Sequence, residues 1–129
     1  MIKIAMVVDD DKIAQKVLKT VLEELGYDVI FASNGREAVS FFRSNISVIT
    51  MDHNMPEISG IEATKAIRKR ETITRTVSPV RIIGITAHND PATLDACMLA
   101  GMDYVITKPV KLEHLKACFE EKREEEQAA

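Results

Sequence analysis

Five times along the chain, a short run rich in valine and isoleucine gives way to a longer segment whose apolar residues recur at helical spacing. The runs fall at 2–8, 27–32, 48–51, 80–86 and 104–107, and each is followed by turn residues and a period change. Near-continuous apolar strands are buried on both faces, and regular strand–helix alternation is the pattern of a parallel sheet covered by helices on both sides. Right-handed crossovers then leave few topologies. The expected class is α/β, doubly wound, with five parallel strands in one domain, and no internal repeat or linker interrupts it.

The helix signals are local. Asp11 is placed to cap the first helix and Gly26 to end it, with Ile13, Val17, Val21, Leu22 and Leu25 on one face. Asn34 with Glu37, and Ser59 with Glu62, form capping-box patterns. The second helix would bury Ala38, Val39, Phe41 and Phe42, and the third would run through Ile61, Ala66 and Ile67 to about Arg70. The threonine-rich stretch 71–79 reads as a surface loop. Asp90-Pro91 opens the fourth helix, with Leu94, Cys97 and Met98 on its face and Gly101 as its stop. Leu112, Leu115 and Phe119 mark the fifth. The domain is expected over 1–120, with 121–129 a charged tail or helix extension that frays into solvent.

A net charge of -3 argues against general affinity for nucleic acid or an anionic membrane. No apolar run has the length of a membrane span, and the apolar start is too short for a signal-peptide core, so a cytoplasmic location is expected. Cys97 and Cys118 fall on apolar helix faces and read as buried thiols, not as a disulfide or metal pair.

In a parallel sheet all strand carboxyl ends share one edge, where open α/β folds place their chemistry. Here the first strand ends in Asp9 and Asp10, the third in Asp52, the fourth in Thr86 and the fifth in Lys108. The order 2-1-3-4-5 would bring these four strands together. Singly, each residue has an ordinary explanation: acids at a helix start or turn, a β-branched strand end, a solvated lysine. As a set they fit one chemistry. Three close carboxylates resist joint ionisation, and a hard divalent cation such as Mg²⁺ relieves that while accepting phosphate oxygens. Lysine suits a phosphoryl group as a point charge, and a threonine hydroxyl donates to it. A carboxylate is an established phosphoryl acceptor.

The segments Val7-Val8-Asp9-Asp10, Met51-Asp52-His53-Asn54-Met55-Pro56 with Gly60, Gly84-Ile85-Thr86-Ala87 and Lys108-Pro109 stand in order over nearly the whole chain. Together they resemble the signatures of two-component response-regulator receiver domains, in look closest to receivers of hybrid sensor histidine kinases or single-domain regulators. The resemblance implies a flavodoxin-like (βα)5 fold with strand order 2-1-3-4-5. It implies Asp52 as phosphoacceptor, taking a phosphoryl group from a histidine kinase or histidine phosphotransfer protein. Asp10, Asp52 and the backbone carbonyl of Asn54 would hold Mg²⁺, with Asp9 assisting. Thr86 and Lys108 would bind the phosphoryl group, Ala87 would leave the approach open, and Asn54 and His88 would tune the lifetime. Phosphorylation would alter a partner surface on the fourth helix, fifth strand and fifth helix. Such a domain is a regulatory switch rather than an enzyme.

One position departs from the family pattern. Receivers usually carry an aromatic three residues before the lysine; here that residue is Val105, with Tyr104 one place earlier. Neighbours in a strand face opposite sides, so Tyr104 is not expected to replace it. Three other classes fit the sequence less well. A Mg²⁺-dependent phosphatase with an aspartate nucleophile needs a second acid two residues on, where Asn54 stands. A phosphorylation-independent interaction module is opposed by the complete acid, threonine and lysine set. A flavodoxin-like electron carrier would need a phosphate loop after the first strand, which is missing.

Overall fold

The computed structural model describes residues 2–120. The elements run β1 (Lys3–Val8), α1 (Lys12–Glu24), β2 (Tyr27–Ala32), α2 (Gly35–Phe41), β3 (Ile46–Asp52), α3 (Gly60–Ile73), β4 (Arg81–Thr86), α4 (Pro91–Ala100), β5 (Tyr104–Thr107) and α5 (Leu112–Glu120). The five strands form one parallel sheet in the order β2-β1-β3-β4-β5. The expected class and strand order are thus found. The expected tail at 121–129 lies outside the described residues.

The two-residue strand period divides the core in two. Met6 and Val8, Ile49 and Met51, and Ile82 face one side, where Ala38, Phe42, Ala63, Ile67 and Cys97 from α2, α3 and α4 cover them. Ala5 and Val7, Val48, and Ile83 and Ile85 face the other, beneath Leu18, Leu22, Leu115 and Cys118 from α1 and α5. Both cysteines are buried thiols, as expected.

The caps are made largely as the sequence predicts. Asp11 accepts the Ile13 N–H at 2.9 Å, and Ser59 and Glu62 form a full capping box. At α2, Asn34 accepts the Glu37 N–H at 2.8 Å, but the Glu37 carboxylate reaches one residue further back, to the Ser33 N–H at 2.7 Å. Gly101 closes α4 in the left-handed region, at φ 115°, a conformation that strains any residue with a Cβ.

Four sequence expectations are corrected. First, α1 does not bury Ile13 and Val17, which are 74% and 52% exposed; Gln15, Leu18 and Leu22 are its buried residues. The helix is rolled so that the Gln15 amide donates to the Asp9 carbonyl at 2.7 Å, which satisfies a buried polar group at the end of β1. Second, α3 continues past Arg70 to Ile73. The β-branched run is held helical by Glu71, which is buried and accepts from Val80 N at 2.6 Å and Arg68 at 2.7 Å. The same bond takes the Val80 N–H, and β4 begins at Arg81. Arg68 also donates to the Gly101 and Val80 carbonyls and pairs with Asp103, tying α3 to the ends of α4 and β5. Third, β3 begins two residues earlier, at Ile46, across a register irregularity against β1. Fourth, Phe41 and Met98, expected on the apolar faces of their helices, are 42% and 49% exposed, while Phe42 and Cys97 carry the burial.

The correction in α1 is directly measurable. Leu22→Ala should lower unfolding stability by about 2–5 kcal/mol through cavity formation. Ile13→Ala should change it by no more than about 0.5 kcal/mol, as for an ordinary surface site. Urea unfolding of both variants checks this; equal losses would contradict the rolled helix.

Candidate functional site

The carboxyl ends of β1, β3, β4 and β5 meet at one edge. Main-chain bonds carry the ladder just past the strands: Asp9 N–H donates to Ala32 O at 3.1 Å, His53 N–H to Ile85 O at 2.8 Å and Lys108 N–H to Thr86 O at 2.7 Å. Asp9, Asp52 and Lys108 therefore continue the alternation on the α1/α5 side of the sheet, with Ala5, Val7, Val48 and Ile106. Thr86 continues it on the opposite side, with Ile82.

One carboxylate oxygen from each of Asp9, Asp10 and Asp52 lies within 4.8 Å of the others. Asp9 and Asp52 are buried, at 2% exposure each, and Asp10 is exposed. Asp9 is fixed by accepting the Asp11 N–H at 2.9 Å. Lys108 Nζ lies 3.3 Å from Asp52 Oδ1, and the Asn54 N–H reaches the same oxygen at 3.4 Å. Gly60, the first residue of α3, lies so close to the Asp52 carbonyl and His53 Cα that a Cβ there would collide with backbone. Its N–H donates to His53 O at 3.0 Å, pinning the turn after Asp52.

Burial governs the charge state of this cluster. It raises the Asp52 carboxyl above its ordinary value against the opposing charge and hydrogen bond of Lys108, with Asp10 adding to the rise. It raises Asp9 likewise, opposed by the Asp11 N–H and reinforced by the Asp52 charge. Three neighbouring carboxylates with spare oxygen lone pairs form a donor set of the kind hard divalent cations such as Mg²⁺ take.

Thr86 is buried at the end of β4. Its Oγ1 accepts the His88 N–H at 3.1 Å and lies 3.3 Å from His53 Nδ1. Ala87 beside it is exposed, as is Asn54. Val105 packs on the α4 side with Ile82, Cys97 and Met102, whereas Tyr104 packs on the α1/α5 side with Ile83, Ile106 and Leu115. The two neighbours thus face opposite ways. Of the strand-end residues singled out from the sequence, Asp9, Asp10, Asp52 and Lys108 come together, while Thr86 ends the neighbouring strand facing the other side of the sheet. Gln15 and His53 were not singled out for the site, because their contacts join residues whose proximity only the fold creates.

The sequence model described as "Response regulator receiver domain" matches residues 5–120. This chain belongs to the response regulator receiver family. Among its relatives, hybrid signal transduction histidine kinase H of Dictyostelium discoideum is 40% identical over 115 residues, covering 85% of this chain and 8% of that protein. The chain therefore spans under a tenth of that relative. The receiver domain of Ssk1 of Saccharomyces cerevisiae, solved with the histidine phosphotransfer protein Ypd1, superposes with a TM-score of 0.82 at 32% identity over 89% of this chain and 84% of that one. The receiver domain of a sensor histidine kinase of Pseudomonas aeruginosa, solved with magnesium in its active-site cleft, gives 0.75 at 31% identity over 91% and 93%. This receiver shares their fold, and its family serves two-component signal transduction. Among the described residues no helix is long and apolar enough to cross a membrane.

The raised carboxyls set a pH dependence. A carboxyl with a higher value in the folded than in the unfolded protein binds its proton more tightly when folded. Its contribution is complete below the ordinary value of 3.8 and is lost as pH rises through the raised value. In the absence of divalent cation, Asp52→Asn and Asp9→Asn should therefore raise the thermal midpoint near neutral pH. The gain should shrink as pH falls toward ~4, where the parent's carboxyls are themselves protonated. Thermal unfolding across that range tests it, and a gain that grew on acidification would reverse the sign.

Proposed function

We propose that this receiver is a phosphorylation-activated switch in which Asp52 accepts a phosphoryl group from a phosphohistidine of a histidine kinase or a histidine phosphotransfer protein. The observation that carries the proposal is the seating of Asp52. It is a buried carboxylate with Lys108 Nζ at 3.3 Å and two further carboxylates within 4.8 Å. That arrangement suits one hard cation and one phosphoryl group.

A carboxylate oxygen of Asp52 attacks phosphorus; the new P–O bond forms as the N–P bond breaks, and the electron pair leaves with the imidazole nitrogen. Asp9, Asp10, Asp52 and the backbone carbonyl of Asn54 would hold Mg²⁺, which when bound would offset the charge on the phosphoryl oxygens. Lys108 exchanges its bond to Asp52 for one to a phosphoryl oxygen, and Thr86 donates its hydroxyl proton to another. Exposed Ala87 leaves the donor's approach open. Water later cleaves the acyl phosphate and regenerates Asp52, with Asn54 and His88 beside the path setting its lifetime. The domain changes only its own Asp52 and is regulatory rather than an enzyme acting on a separate substrate.

The output surface in this proposal is α4, β5 and α5, read by a downstream protein and not by nucleic acid or a membrane. A cytoplasmic setting, residues 1–120 as the switching unit and 121–129 as its tail complete the reading. The switch rests on Thr86 rather than on an aromatic relay. Support comes from the opposite placement of Val105 and Tyr104 and from buried Met102, whose sulfur packs over Gly84 on the Val105 side. A structure of the activated form with Tyr104 swung toward Thr86 would refute the absence of a relay.

Incubation with Mg²⁺ and acetyl phosphate should add one phosphoryl group by intact mass, and Asp52→Asn should add none. No adduct on folded parent protein sinks the proposal, and an adduct retained in Asp52→Asn moves the site. Sustained turnover of many phosphomonoesters would instead mark a phosphatase.

A further inference from the structure

The side chain next to the phosphoacceptor makes a contact that none of the roles above uses. His53 Nδ1 lies 3.3 Å from Thr86 Oγ1. The imidazole is carried on a backbone held at both polar groups, its N–H on Ile85 O at 2.8 Å and its C=O under the Gly60 N–H at 3.0 Å. The ring also meets the His88 ring edge-on, with centroids 5.9 Å apart at 88°. Thr86 Oγ1 in turn accepts the His88 N–H at 3.1 Å. The threonine is 1% exposed, so its hydroxyl proton needs an acceptor within the protein, and His53 Nδ1 stands at hydrogen-bonding distance.

A hydroxyl has one proton to donate. Given to His53 Nδ1, it is withheld from a phosphoryl oxygen on Asp52. We infer that His53 is a positioning residue that competes with the phosphoryl group for the Thr86 hydroxyl, holding the unphosphorylated arrangement until Asp52 is modified. The inference rests on the phosphoacceptor reading of Asp52 and goes beyond it by assigning the off state a specific restraint. The restraint sits one residue from the modified side chain, so Asp52 and the His53 that holds Thr86 share the same pinned turn.

Removing the acceptor should shift the population toward the arrangement that receives the phosphoryl group and tighten apparent affinity for it, because a sparsely populated competent state weakens binding by its own fraction. The probe is beryllium fluoride, a phosphoryl mimic, titrated calorimetrically into the full chain at saturating Mg²⁺. His53→Leu should bind it about fivefold more tightly than the parent, the size expected for loss of one net hydrogen bond. His53→Gln places its amide beyond the Nδ1 position and should act like His53→Leu; it decides the matter if the leucine variant does not fold. His53→Asn places an oxygen where Nδ1 was and should restore parent affinity. In a Thr86→Val background the His53→Leu effect should vanish, which a merely structural role for the ring does not predict. Mg²⁺ affinity without fluoride should be equal in parent and His53→Leu.

Unchanged or weaker fluoride binding in both His53→Leu and His53→Gln overturns the inference. So does His53→Asn behaving like them, or an effect that survives in Thr86→Val. Any of these leaves the phosphoacceptor reading standing, because the parent still binds the probe. A folded parent that binds no beryllium fluoride and gains no mass from acetyl phosphate overturns both together.

Discussion

The crowding of negative charge at one end of a parallel sheet governs the rest of this molecule. Asp9 and Asp52 are buried side by side with exposed Asp10 against them, oxygens within 4.8 Å. Burial alone makes ionisation of such groups unfavourable, and mutual repulsion adds to it. Only a rigid frame keeps them together. The frame is the hydrogen-bonded ladder, extended one residue past β3 by the His53 bond to Ile85 and one past β5 by the Lys108 bond to Thr86. Lys108, itself exposed, offsets part of the negative charge, and the remaining excess is what a hard cation is suited to neutralise.

Much of the surrounding structure is explained by that frame. Gly60 allows α3 to start against the Asp52 carbonyl, because any side chain there would strike backbone. Gln15 is turned inward on α1 to hold the Asp9 carbonyl, and α1 rolls with it. The roll leaves Ile13 and Val17 in solvent, with Val17 and Ala14 lining a shallow cleft beside Asp9, Lys108 and Pro109. At the other end of the sheet, Arg68 and Glu71 do a purely architectural task. They gather the carbonyls of Gly101 and Val80, the N–H of Val80 and the carboxylate of Asp103, so the long α3–β4 connection leaves from a fixed point.

The two faces of the sheet carry different duties at the site. The acids and lysine lie on the α1/α5 side, where metal and phosphoryl chemistry would occur. Thr86 lies on the other side, facing the layer that α4 completes. A strand-end residue of opposite parity thus faces the α4 side of the sheet. Val105 shares its side, and small as it is, it leaves Met102 to pack against Gly84.

The chain's own residues determined the class of fold and the chemical character of its functional edge. Period, caps and strand-end residue types are local properties, and parallel strands must align their carboxyl ends, so the placing of Asp9, Asp10, Asp52, Thr86 and Lys108 along one sheet edge is legible in the sequence. What only the tertiary structure decided was rotation and cross-strand contact. A five-residue apolar stripe does not state which side of α1 is pressed inward; the buried carbonyl of Asp9 and the reach of Gln15 do. Threonine-rich residues after Arg70 carry weak helix propensity, and a buried carboxylate at Glu71 overrides it. The meeting of His53 with Thr86 joins residues 33 apart in the chain. No local pattern encodes that distance, because it arises only where β3 and β4 end side by side.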